Sequence, residues 1–241
     1  MKKILFTVLL SFMLIACADK ATSQAELKLV NTIKLKIAEP SGITAYKKHL
    51  YIVSDQNGGI YKTTLTGEVV KKIKTNYKDL EGITIIPSSK KIAIVNEAKR
   101  SLIYLNLKGK FLNKHKIKGE QETTNSGLEG ICFDSSIKRL FAVNEKAPKQ
   151  LLALNLKGEI KNTYPLNFSK DVSGICFDEN SNCLWIISDE SSAIYQISKK
   201  GKLLKKHKIN VEKGEGIVIY KNHMYVVSDS QNTLYVFEMV N

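Results

Sequence analysis

The sequence predicts an all-β protein, a five-bladed β-propeller with four antiparallel strands per blade, closed by an N-terminal strand that completes the last blade. Three observations carry this prediction. A Gly-Ile pair recurs five times, at Gly42-Ile43, Gly82-Ile83, Gly130-Ile131, Gly174-Ile175 and Gly216-Ile217, with separations of 40, 48, 44 and 42 residues. Short apolar or alternating segments fill each interval, with no helical periodicity over three turns. The last copy lacks its fourth segment, and one unassigned strand precedes the first copy. A period of about 40–50 residues holding four strands is the mark of a propeller blade.

Each strand has its own signal. The first begins at Gly-Ile, where the glycine is expected to let the chain turn into the channel wall. The second is the apolar run YIVSD, IAIVNE, LFAVNE, LWIISD or MYVVSD. The third is a segment such as IYLNLKG or LLALNLKG, ending at Gly67, Gly109, Gly158 or Gly201. The fourth is basic and apolar, as in VVKKIK, FLNKHKIK and KLLKKHKI. The fifth copy stops at Asn241 after TLYVFEMVN, and LKLVNTIKLKI at residues 27–37 has the look of the missing fourth strand. Pairing the two removes an open sheet edge that would invite aggregation. A six-bladed ring with one degenerate blade is the alternative.

The N-terminus reads as an export signal over residues 1–16. Lys2 and Lys3 precede a 13-residue apolar run, Ile4–Ala16, and a small residue stands directly before Cys17. The run falls short of the ~20 residues of a spanning helix. Leu14-Ile15-Ala16-Cys17 resembles a bacterial lipobox, which implies an acylated Cys17 as the first mature residue. A diacylated cysteine holds membrane durably, and the small polar residues after it suit a flexible tether over 17–26. The propeller then occupies 27–241. Ala18 after the cysteine favours the outer membrane of the cell envelope by the common sorting pattern.

Three further cysteines, Cys132, Cys176 and Cys183, make an odd set. Cys132 and Cys176 hold the same repeat slot and read as buried thiols. A Cys176–Cys183 bridge is the alternative, although a tight hairpin sets Cys183 opposite Asp178 instead.

The formal charge is +14, or +12 once Lys2 and Lys3 leave with the signal. Lysines cluster in the fourth strands, at Lys71, Lys72 and Lys74, at Lys114, Lys116 and Lys118, and at Lys205, Lys206 and Lys208. That is the dressing of an exposed edge, where lysine blocks strand pairing. A belt meeting anionic membrane or glycan is the other reading. No aromatic-lined basic groove is present, so nucleic acid is not expected as a partner.

Carboxylates follow a different pattern. Ser41, Glu81, Glu129, Ser173 and Glu215 precede the five glycines, and Asp55, Glu97, Glu145, Asp189 and Asp229 end the five second strands. First and second strands are antiparallel, so these ten positions meet on one face, and eight of them are acidic. Crowded carboxylates need protons or a counter-cation, and hard oxygen ligands suit Ca²⁺. The expected ligands are Glu81, Glu129 and Glu215 first, with Asp55, Glu97, Glu145, Asp189 and Asp229 either ligating or capping the turns that follow. The alternative is that all of them bond turn amides between blades. Alternation along a strand leaves open whether Asn96 or Glu97, and Asn144 or Glu145, faces inward.

The recurrent Glu-Gly-Ile starts and the Ser-Asp or Asn-Glu second-strand ends, behind a lipobox, resemble the SdiA-regulated family of bacterial envelope proteins. The resemblance covers residues 27–241. It implies a five-bladed propeller distantly similar to NHL-repeat proteins, and a calcium site at the carboxylate ring. Ser41 and Ser173 depart from the Glu pattern in two blades, so the mouth is expected to be asymmetric.

Two functions fit these residues. One is a non-catalytic, lipid-tethered binding module, monomeric, engaging an envelope protein or a small ligand. The other is a calcium-dependent hydrolase, lactonase- or phosphoesterase-like, using the same carboxylates with Glu129 as base. No catalytic residue is assigned. His115 and His207 fall in outer strands, while His49 and His223 begin second strands on the opposite face. Segments 76–80 and 119–127 are expected to overhang the acidic face.

Overall fold

A computed structural model describes residues 26–119, 123 and 126–240. The expected export signal, Cys17 and nearly all of the expected tether lie outside the described residues. Blade one is β2 (Pro40–Tyr46), β3 (His49–Ser54), β4 (Ile60–Thr63) and β5 (Val69–Ile73). Blade two is β6 (Leu80–Ile86), β7 (Lys91–Asn96), β8 (Ser101–Asn106) and β9 (Phe111–Lys116). Blade three is β10 (Leu128–Asp134), β11 (Arg139–Asn144), β12 (Gln150–Leu154) and β13 (Ile160–Pro165). Blade four is β14 (Gly174–Asp178), β15 (Cys183–Ser188), β16 (Ala193–Ile197) and β17 (Leu203–Lys208). Blade five is β18 (Gly214–Tyr220), β19 (His223–Ser228), β20 (Thr233–Val240) and, from the other end of the chain, β1 (Glu26–Lys34).

Each blade is one antiparallel sheet in the order of its strands, and β1 pairs with β20 from Glu26↔Val240 to Lys34↔Thr233. The closure is the expected one. The strand begins at Glu26, the last residue assigned to the tether, and ends at Lys34, with Leu35 and Ile37 buried beyond it. The first strands contact one another around the axis in the order β2, β6, β10, β14, β18 and back to β2. Apart from one 3-10 turn at Pro87–Ser89, the described residues contain no helix, and none long and apolar enough to cross a membrane.

The core is five separate apolar clusters, one between each pair of consecutive blades. This explains the unbroken apolar second strands: sandwiched in mid-blade, they are buried on both faces, as with LFAV in β11. The glycine before each Ile has a different task from the one expected of it. None of the five has a left-handed φ. A Cβ on Gly82 would stand 2.6 Å from the Ile131 backbone nitrogen, and one on Gly130 2.9 Å from that of Ile175. Gly42 and Gly174 abut the carbonyls of Glu81 and Glu215 in the same way. These residues are glycine because neighbouring first strands touch backbone to backbone at the axis. The Gly-Ile layer thus forms a collar, leaving a cavity of only about 10 Å³ between the strands.

The collar divides the channel. On the mouth face, where first strands begin and second strands end, lies a cavity of about 240 Å³. On the far face lies one of about 410 Å³, lined largely by the apolar ends of the first strands. The far face also carries the hairpin turns that join first to second and third to fourth strands. Cys132, Cys176 and Cys183 are free, and Cys183 pairs with Asp178 across the hairpin as expected. The outer-strand lysines are exposed apart from Lys205, which is half-buried.

Candidate metal centre at the channel mouth

The first-strand carboxylates are aimed by bulges. The register between first and second strands slips at the mouth between Pro40 and Ile43, Leu80 and Ile83, Leu128 and Gly130, and Gly214 and Gly216. Ser41, Glu81, Glu129 and Glu215 fall within these slips. A bulge leaves a residue unpaired and re-aims its side chain, so the three glutamates lean over the glycine collar. Blade four has no slip; β14 starts cleanly at Gly174, with Ser173 just outside it.

The question of which residue faces inward at the second-strand ends is settled by buried hydrogen bonds. Ser54, Asn96, Asn144, Ser188 and Ser228 are all buried. Four of them tie the strand to the segment leading into their own blade. Ser54 Oγ donates to the Ala38 carbonyl at 2.6 Å, Asn96 Nδ2 to Lys78 at 2.7 Å, Asn144 Nδ2 to Ser126 at 3.2 Å and Ser228 Oγ to Glu212 at 2.6 Å. In blade four Ser188 donates instead to the Asp171 carboxylate. With this position committed to a bond inside the blade, the following acid turns into the mouth.

All eight expected carboxylates line the mouth cavity: Asp55, Glu81, Glu97, Glu129, Glu145, Asp189, Glu215 and Asp229. Three more join them, Glu39, Asp171 and Glu190, making eleven against two lysines, Lys146 and Lys213. Glu39 and Asp171 stand two residues before Ser41 and Ser173, so the blades lacking the bulge glutamate supply an acid from slightly upstream. Reading two residues further back from each Gly-Ile would have found both. Every blade therefore contributes acids, and the mouth is less lopsided than the Glu129-to-Ser173 difference implies.

Two subsets come close enough to share one ion. Asp55, Asp79 and Glu81 each offer an oxygen within 4.8 Å of the others, and so do Glu97, Glu129 and Glu145. Both straddle a blade junction, with the second-strand acid of one blade meeting the bulge glutamate of the next. Glu215, Asp189 and Asp229 line the same cavity without belonging to either group. Some carboxylates also bond turn amides: Glu97 Oε1 accepts the Gly127 N–H at 3.0 Å, and Asp79 Oδ2 accepts that of Ala98 at 2.7 Å. Segment 76–79 thus delivers Asp79 to the site. Most of 120–125 lies outside the described residues.

Protonation reflects the crowding. Burial, then the charges of Asp55 and Glu215, push the Glu81 carboxyl well above the usual range. Burial and the charges of Glu81 and Glu97 do the same to Glu129. Glu215 is pushed up to about 8, by burial first and then by Asp229 and Asp189. Asp55, Glu97, Glu145 and Asp229 are also raised, with burial the largest cause in each. Where no lysine pairs with these carboxyls, a proton or a cation must offset their charge.

Compensation is uneven. Lys146 bridges Glu145 at 3.1 Å and Glu190 at 2.6 Å, and Lys213 lies 3.5 Å from Asp189. Among the described residues, no lysine or arginine is ion-paired with Asp55, Asp79 or Glu81. Histidines hold the positions expected of them. His115 lies in β9, His207 in β17, and His49 and His223 at the far-face ends of β3 and β19; none lines the mouth.

Fold and site together define a five-bladed propeller with a carboxylate-ringed mouth. The chain belongs to the SdiA-regulated family, whose profile matches residues 19–238. Among solved structures it is similar to the glutaminyl cyclase of Myxococcus xanthus, with a TM-score of 0.72 at 10% identity over 90% of this chain and 99% of that one. It is also similar to the virginiamycin B lyase of Staphylococcus aureus, with a TM-score of 0.57 at 12% identity over 89% and 100%. A chain of the nidogen/laminin complex matches with a TM-score of 0.60 at 14% identity over 83% and 76%. Such identities show a shared fold alone.

Proposed function

We propose that the protein is a membrane-tethered envelope propeller that takes up Ca²⁺ at its acidic mouth and acts as a non-catalytic binding module. One observation carries the reading: eleven carboxylates face one cavity with two lysines among them. The donor set is entirely oxygen, which fits a hard cation taking about 6–8 ligands and disfavours zinc. Glu81 with Asp55 and Asp79, and Glu129 with Glu97 and Glu145, are the residues to hold it. A bound cation would displace protons from these groups and cross-link adjacent blades. Acylation of Cys17 would supply the tether to the outer membrane, leaving the mouth free for an envelope protein or a small ligand.

A hydrolase using the same carboxylates is the competing reading, and the similar fold of a glutaminyl cyclase and a virginiamycin B lyase keeps it in view. Against it stands the placement of all four histidines away from the mouth, which leaves a carboxylate as the general base.

The test is Ca²⁺ titration of metal-free protein starting at residue 18. At a hundredfold excess over the dissociation constant, binding to the folded state adds about 2.7 kcal/mol. That corresponds to a rise of roughly 5–10 °C in melting temperature for a domain of this size. No rise at millimolar Ca²⁺ would exclude the site. Turnover of lactones or phosphodiesters, lost in Glu129→Gln without loss of folding, would replace the binding-module reading with the hydrolase.

A further inference from the structure

The far face differs from the mouth in both charge and polarity. Its hairpin turns occupy residues 47–48, 64–68, 87–90, 107–110, 135–138, 155–159, 179–182, 198–202 and 221–222. They contain eleven lysines and three acids, Glu68, Glu159 and Glu179. All eleven large apolar side chains that are exposed among the described residues also lie on this half of the disc. Most stand at the far-face ends of the outermost strands, as with Val69 and Val70, Phe111 and Leu112, and Leu203 and Leu204. Val70 is 53% exposed and Phe111 49%, so these are not rim residues tucked under neighbours. Solvated lysines alone account for an edge that resists pairing. They do not account for apolar side chains gathered beside them in blade after blade.

We propose that this face docks on an anionic phospholipid bilayer, with the turn lysines at the phosphates and the apolar pairs entering the headgroup region. Lysine with adjacent exposed aliphatic and aromatic side chains is the composition that binds such an interface. Each lysine near an anionic surface adds attraction that salt screens. A glycan or nucleic acid would engage the lysines and leave the apolar pairs without a partner. The way the chain enters the ring agrees. β1 starts at Glu26 beside Val240 on this same face, so residues 1–25, with their apolar run and Cys17, join the propeller there. That last support rests on the proposed tether; charge and exposure do not. Docked in this way, the disc lies flat and holds the acidic mouth away from the negative surface.

The experiment uses unacylated protein of residues 18–241, which contain the whole closed ring, so its outcome is separate from that of the lipid on Cys17. Co-sedimentation is measured with phosphatidylcholine vesicles with and without phosphatidylglycerol. Binding is expected only with phosphatidylglycerol, falling steeply as salt rises toward about 0.5 M. Lys47→Glu, Lys48→Glu and Lys200→Glu together should weaken it at least about tenfold. Val70→Ser, Leu112→Ser and Leu204→Ser together should weaken it too, whereas Lys74→Glu with Lys170→Glu on the mouth face should not. In a Cys183→Ser background, which removes the half-exposed native thiol of the far face, a fluorophore on Ile137→Cys should be quenched by a lipid-phase quencher and one on Lys170→Cys should not, which reads orientation even where a triple variant misfolds. Absence of binding to anionic vesicles, equal loss in the mouth-face variant, or insensitivity to the serine substitutions would each overturn the proposal. The last result, with tight heparin binding, would mark the face as a glycan surface.

Discussion

The two sides of the mouth are built from the same repeat positions and reach opposite electrostatic solutions. At the junction of blades one and two, Asp55, Asp79 and Glu81 converge with no cation paired to them. Around blades four and five, Asp189 has Lys213 and Glu190 has Lys146. The junction of blades two and three lies between, since Glu145 belongs to an ion-sized group and also touches Lys146. The side without a lysine is where an added cation gains most.

Substitution within the two ion-sized groups is the strongest way to break this comparison. Glu81→Gln or Glu129→Gln is expected to weaken Ca²⁺ binding at least about tenfold, a loss of about 1.4 kcal/mol or more. Glu215→Gln, outside both groups, should change affinity about twofold or less. Isothermal titration decides, and equal losses at Glu81 and Glu215 would erase the distinction between the sides.

The pH dependence of metal-free protein comes next. Carboxyls whose folded pKa is raised bind more protons folded than unfolded, so stability falls as pH rises from the ordinary glutamate value through the raised one. For Glu215 that window runs from about 4.5 to about 8, and Glu81 and Glu129 act in the same direction. Denaturant titrations should show a loss on the order of 2 kcal/mol between the two ends, allowing for solvent screening. Glu215→Gln should flatten the curve, and Ca²⁺ should restore stability most at the alkaline end. Stability rising over this range would contradict the crowded-carboxylate account.

The smallest effect sharpens the comparison instead. Lys146→Gln frees Glu145 and Glu190, making the junction of blades two and three resemble that of blades one and two. Ca²⁺ affinity should rise about threefold, about 0.7 kcal/mol, and a weakened affinity would show that Lys146 orders the site rather than competing for it.

Much of this was legible because propeller repeats write their architecture locally. Gly-Ile spacing, apolar second strands and the leftover segment at 27–37 were enough for the blade count and the closure. They reflect pairing between strands adjacent in sequence, plus one edge that needed covering. All eight carboxylates were legible for the same reason, since antiparallel neighbours bring the start of one strand and the end of the next to one face. Glu39, Asp171 and Glu190 sit outside the repeated dipeptides and were missed, although Glu39 and Asp171 share the position two residues before Ser41 and Ser173.

By itself, the sequence determined the fold, the face on which the acids gather and the buried character of Cys132 and Cys176, because strand alternation and repeat spacing are properties of the chain. Only the tertiary structure decided the rest. It turned Glu97 and Glu145 toward the axis by committing Asn96 and Asn144 to backbone carbonyls. It made the five glycines a collar by pressing first strands together backbone to backbone. It separated an open acidic junction from a lysine-compensated one, and set the exposed apolar pairs opposite both. Each of these depends on what a neighbouring blade presents across a junction, and a repeat read one copy at a time does not contain that neighbour.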